Sequence, residues 1–265
     1  MNPDDLLLYN EVRDTVIHWG SKNNYALKIH WKQTGIFGKY CPNGIAGCAP
    51  LAIASIAAHL NYLTIGKSEI KYDFPGRDVD ADSITWQQFL VHDREYTDGT
   101  LKCWEKDKEG THNAIGRVLR QIGYDCGSSY DVLSTGTSPN VYREVLKKYV
   151  PNAVSIGQLT NFESYKVMRL IDKGLLLMRS SIKGSNSGHA WVADGYEYVK
   201  VDVKCYERDS ETHEMKYLYT QTEETSLTSF KWGWGGKEDG YFANNVFEAN
   251  GQTYDAPQYI SVQIR

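Results

Sequence analysis

Cys48 stands in the run GIAGCAPLAIASIAAHL, residues 44–60, between Gly47 and a long apolar segment. A thiol placed there is a candidate nucleophile if a helix begins at about residue 49. Exposed backbone N–H groups and the helix dipole favour an anion at a helix N-terminus, and a cysteine pKa in such a place falls below ~8.5. Pro50 fits, because proline is tolerated in the first helical turn. Gly47 lets the backbone turn sharply and leaves room near the sulfur. The competing reading is a small apolar filler at the start of a core helix.

A thiolate nucleophile needs a base, usually histidine. Seven histidines are on offer. His59 lies three turns down the Cys48 segment, and His18, His30, His92, His112 and His213 sit in polar surroundings. His189 differs, because in SNSGHAWVADGYE it follows Gly188 and opens an apolar run. A histidine at the start of a buried strand can face a helix N-terminus across a cleft. A satisfied structural histidine is the competing reading. Asp194 stands five residues on, which puts it on the opposite face of a strand, so it is read as part of an Asp-Gly turn at 194–195 and not as a triad acid. In the block KWGWGGKEDGYF, residues 231–242, two tryptophans interleave with three glycines, 233, 235 and 236. It reads either as a core β-turn or as an aromatic wall that shields the histidine from water.

The elements that must carry these residues change type along the chain. Apolar spacing predicts helices over 4–18 (Leu7, Leu8, Val12, Val16), 48–63, 83–92, 112–123, 139–149 and 162–173. Residues 48–63 are apolar all round and belong in the middle of a domain. Residues 21–47 read as loop. From GLLLMRSSI onward the chain breaks into short β-branched or aromatic runs separated by turn residues. This order predicts an α+β fold in one domain, residues 1–265, with a helical lobe at about 1–150, a sheet lobe at about 151–265 and the site in the cleft between them. Residues 197–229 read as a β-hairpin with a charged tip.

The 265 residues carry a net charge of −4, which argues against broad binding to nucleic acid or anionic membrane. No stretch is apolar enough to span a bilayer. The acidic start MNPDDLLLYNEV is not a signal peptide, which leaves an intracellular protein or a trimmed mature form. The five cysteines, at 41, 48, 103, 126 and 205, have no zinc-like spacing. Four in disulfides plus one working thiol, or five reduced thiols, fit equally. Nothing points to a metal or an organic cofactor.

Taken in order, the motifs resemble the streptopain family of bacterial cysteine peptidases. Trp31, Gln33, Cys41-Pro42 and Gly47-Cys48 match its pattern around the nucleophile, GHAWVADGY (188–196) its histidine motif, and WGWGGKEDGYF (232–242) its tryptophan-glycine block. The helix containing IGRVLRQIGYDCGSSY also looks like the family's. The resemblance spans roughly residues 28–245 and implies a papain-like two-lobed fold, a secreted or cell-surface location, protein or peptide substrates, and no cofactor. It implies Cys48 as nucleophile, His189 as base, Gln33 as oxyanion donor alongside the Cys48 N–H, Trp232 packed by the histidine, and Gly188 and Trp234 bordering the substrate groove.

Three departures stand out. The residue before Trp232 is commonly asparagine in the family and is Lys231 here, so a backbone carbonyl would have to hold the imidazole. A cation there also disfavours the protonated ring. The 197–229 hairpin is extra and is placed to overhang one end of the cleft. The family's usual inhibitory pro-segment does not precede the match, so the chain reads as mature or trimmed, and the resemblance adds a pro-segment or inhibitor not present in this chain to the expected partners. Rival readings are a catalytically silent binding or adhesin module and an amidase or transamidase of cell-wall peptides.

Overall fold

The computed structural model describes residues 11–22, 27, 29–65, 69–70, 84–85, 109–209, 211–243 and 246–264. The helices are Cys48–Ile65 (α1), Glu109–Asp125 (α2), Tyr142–Tyr149 (α3) and Ser164–Ile171 (α4), with 3-10 turns at Gly35–Gly38 and Pro139–Val141. The architecture is mixed helix and antiparallel sheet, as the α+β reading requires.

One large sheet dominates. It contains Gly174–Ile182 (β8), Gly188–Arg208 (β9), Met215–Lys231 (β10), Gly240–Ala243 (β11), Glu248–Ala249 (β12) and Gln252–Gln263 (β13), in the order β11-β10-β9-β8-β13-β12. The short strands Ser155–Ile156 (β6) and Thr160–Asn161 (β7) pair with β13. Two small ladders lie apart from it: Glu69–Ile70 (β2) with Ile84–Thr85 (β3), and Ser129–Tyr130 (β4) with Thr135–Gly136 (β5).

Successive residues of a strand face opposite ways, and this alternation divides the core. Leu175, Leu177, Ala190, Val192, Ile260 and Val262 pack with α1, α2 and α3. Leu176, Met178, Trp191 and Ala193 pack instead with Val167 and Ile171 of α4 and with Phe230, Trp232 and Tyr254. Leu51, Ile53, Ile56 and Leu60 of α1 are almost wholly buried, each contributing ~1.5–3 kcal/mol of apolar burial. The site residue at the head of α1 therefore sits on a helix gripped on all sides.

Three expectations are corrected. Residues 11–22 form a strand (β1), not the end of a helix, and pair with β9 from Glu11↔Glu207 to Lys22↔Tyr196. A spacing of four, as between Val12 and Val16, fits the period of a strand as well as that of a helix. The sheet partner decides between them. Residues 4–10 of that expected helix lie outside the described residues. In the expected helix 83–92, Ile84 and Thr85 are instead β3, whose ladder with β2 supplies their pairing, and 86–92 lie outside the described residues. Finally, 194–195 is no turn. β9 runs straight through it, and the register with β10 shifts there, with Ser229 opposite Gly195 and Phe230 opposite Ala193. Asp194 is the extra residue of a β-bulge, another use of an Asp-Gly pair.

Candidate active site

Three segments converge at the head of α1. The loop before it carries Gly47 at φ +93°, a left-handed turn that suits glycine, and delivers Cys48 as the first helical residue. A strap at 31–33 lies alongside. Its Gln33 carbonyl accepts from Ala46 N–H at 2.8 Å, its Trp31 carbonyl accepts from Gly235 N–H at 3.1 Å, and Lys32 bridges to Trp234. The tryptophan-glycine block closes the third side. A Cβ on Gly233 would lie 2.8 Å from a methyl of Leu51, so the glycine lets this block press onto α1. Gln33, Cys48, Trp232 and Trp234 are thereby gathered into one region, with the Gln33 backbone held two residues from the thiol.

His189 enters from the sheet. It sits near the start of β9 opposite Ser180. Gly188 before it comes so close to Ser180 that a Cβ would lie 2.6 Å from the Ser180 carbonyl oxygen, so this position accepts no larger residue without a shift. The His189 ring is buried in an aromatic cage. Trp234 stacks on it at 4.8 Å between centroids, with Trp232, Trp191 and Tyr254 at 6.0–6.1 Å. His189 Nε2 lies 2.8 Å from the Trp232 carbonyl oxygen. A carbonyl only accepts, so Nε2 carries the proton in the neutral ring and Nδ1 keeps a free lone pair.

The Cys48 thiol lies against the backbone of β9 at Ala190, the residue after His189. Burial raises its pKa, and the N–H groups of Ala190, Ala49 and Cys48 itself pull the other way by favouring the thiolate. Burial also lowers the His189 pKa to about 4, only partly offset by the bond to Trp232. Both shifts favour a neutral thiol beside a neutral imidazole at rest. The N–H groups at the helix N-terminus do act on the sulfur, but desolvation outweighs them, so the thiol pKa is raised and not lowered as the sequence position suggests. Beside the thiol is a small hollow lined by Leu27, Trp31, Leu51, Val192 and Lys231.

Other expected features fall away from the site. Asp194 is buried and takes Leu27 N–H at 2.7 Å and Ser229 Oγ–H at 2.6 Å, so it ties β9 to β10 and the N-terminal segment. His59 is buried within α1. Cys41, Cys48, Cys126 and Cys205 are free thiols, and Cys103 lies outside the described residues. Among the described residues no cluster of three or more His, Cys, Asp or Glu side chains could hold a metal ion, and no helix is long and apolar enough to cross a membrane.

Two participants carried no assigned role in the sequence. The Ala190 N–H is a backbone group, which no side-chain pattern reports. Asp239 lies inside the quoted KEDGYF block, and its Oδ1 accepts the Trp232 N–H at 2.9 Å. Its position seven residues after Trp232 gave no sign of that bond.

The model of the Peptidase C10 family matches residues 19–242. No curated protein and no solved structure matches the chain.

Proposed function

The chain belongs to the Peptidase C10 family of cysteine peptidases, and we propose that it is an endopeptidase whose reacting pair is Cys48 and His189. The observation that carries this reading is the His189 Nε2–Trp232 carbonyl contact at 2.8 Å. It fixes the tautomer with Nδ1 free, while the thiol is seated at the next residue of the same strand.

In the acylation step, Cys48 Sγ attacks the peptide carbonyl carbon and the thiol proton passes to His189 Nδ1. The carbonyl oxygen becomes an oxyanion and takes hydrogen bonds from the Cys48 N–H and the Gln33 side-chain amide. One such donor supplies ~2.7–4 kcal/mol at the barrier. The C–N bond then breaks and His189 gives its proton to the departing amine. A water attacks the thioester, losing a proton to Nδ1, and the thiol is released with the proton restored. Trp232 and Trp234 keep the imidazole desolvated and in plane, and Gly188 and Trp234 border the groove. A papain-like arrangement with this site in an interlobe cleft, and an exported life for the protein, accompany the same reading.

The test is hydrolysis of an unfolded protein by the wild type and by Cys48→Ala. Internal cleavage by the wild type and none by Cys48→Ala is expected. Equal cleavage by both would remove Cys48 as nucleophile. A folded wild type that cleaves neither protein nor cell-wall peptides would favour a binding module instead.

A further inference from the structure

Lys231, the residue before Trp232, is a cation that lines the hollow beside the thiol. Its Nζ lies 3.7 Å from Asp239 Oδ2. The same carboxylate, whose side chain is only 9% exposed, also accepts the Trp232 N–H through Oδ1. His30 Nδ1 approaches it from the strap at 3.6 Å. Trp232 is the residue whose carbonyl accepts the hydrogen bond from the imidazole Nε2–H. Glycines at 233, 235 and 236, all with positive φ, follow it. Such a stretch has wide backbone freedom and little stiffness of its own.

We propose that Asp239 is a positioning residue for His189: it anchors Trp232 by the backbone N–H and neutralises Lys231, so that the Trp232 carbonyl stays on Nε2 and Nδ1 stays available to the thiol. This rests on the reading of Cys48 and His189 as the reacting pair. Of the charged and titratable groups near the pair, Arg179 from β8 acts on Cys48, Tyr254 from β13 packs against the imidazole and is acted on by Glu238, and Lys231 from β10 pairs with Asp239 of the loop before β11. Among the described residues, Asp239 is the one that bonds to the backbone of the residue holding the imidazole. It has two separable effects. The hydrogen bond fixes geometry. The charge offsets a cation that would otherwise oppose the imidazolium formed during attack.

Three variants separate these effects. Asp239→Ala removes both, Asp239→Asn keeps an oxygen for the Trp232 N–H but strands Lys231, and Asp239→Asn with Lys231→Met removes the stranded cation. Asp239→Ala is expected to lower kcat ~10-fold, the scale of one lost hydrogen bond, with KM little changed. Asp239→Asn is expected to move the acid limb of kcat/KM to lower pH, and adding Lys231→Met to return it. Thermal midpoints identify any variant that is poorly folded. A second readout needs no turnover. In 15N-histidine-labelled protein, the His189 Nε2–H resonance is expected in the wild type and Asp239→Asn, and lost to solvent exchange in Asp239→Ala. If the wild type hydrolyses nothing, the peptidase reading fails while this spectrum still judges Asp239. A folded Asp239→Ala with wild-type kcat, or with its Nε2–H resonance unchanged, overturns the proposal.

Discussion

Replacing His189 by alanine should change how Cys48 reactivity depends on pH, in a way the burial of both groups specifies. The His189 pKa is lowered to about 4 and the Cys48 pKa is raised. Between those limits the pair holds one proton. A neutral thiol–imidazole and a thiolate–imidazolium contain the same number of protons, so pH does not separate them. Alkylation by a small uncharged electrophile should therefore switch on at about pH 4, run flat, and rise again beyond the ordinary thiol range. In His189→Ala only the free thiolate reacts, and its fraction falls tenfold for each pH unit below the raised pKa of the thiol. The wild-type to variant ratio should thus grow ~10-fold per unit as pH drops, reaching roughly a thousandfold more at pH ~5 than at pH ~8. The assay is a pseudo-first-order labelling rate at each pH, read by mass at Cys48. A single rise with the same midpoint in both proteins would refute the coupling of the two residues. An acid limb near the ordinary histidine value of ~6.5 would refute the desolvation argument while leaving the pair intact.

Two further outcomes follow from the same geometry. Gln33→Ala should lower kcat by ~10²–10³-fold, the cost of one oxyanion donor, yet leave alkylation of Cys48 almost unchanged, since alkylation builds no oxyanion; steady-state hydrolysis beside labelling checks this. His189 is also a stability element. Its folded pKa of about 4 lies below the unfolded value of 6.5, so its contribution is full above the unfolded value and is lost as pH falls toward the folded one. Between pH 7 and pH 4.5 that loss amounts to about 2 kcal/mol, and His189→Gln should abolish it in denaturant titrations at those two pH values.

How much of this was legible in the sequence depends on whether the deciding partner was local. The apolar run 48–63 read as a central helix because every face of it is apolar, and α1 is buried in that way. The bond from His189 to a backbone carbonyl was foreseeable once Lys231 stood where an orienting side chain was expected. The strand at 11–22 was not, since its partner lies some 180 residues away and its valine spacing fits both periods. The Asp194 bulge likewise depends on β10. Within the site, the order of motifs pointed to segments that the fold brings together at the head of α1. The backbone donors and the Asp239 anchor were not readable, because they follow from how distant loops pack.

β9 also gives the molecule a practical property. Near His189 this strand is flanked by β8 and β10 and covered on both faces, whereas beyond Tyr196 its neighbours are β1 and β10. One continuous backbone thus passes from a deeply packed region to a thin three-stranded ribbon. Its amides should exchange with solvent slowly at Ala190–Ala193 and ever faster toward Arg208, a gradient along a single strand. The turn at 209–214 stands roughly 60 Å of strand away from the imidazole, closed locally by Asp209 Oδ1 accepting the N–H groups of Glu211 and Thr212. An inserted peptide tag or fluorophore at that turn would leave the thiol chemistry undisturbed, which makes it the natural place to tether or label the enzyme.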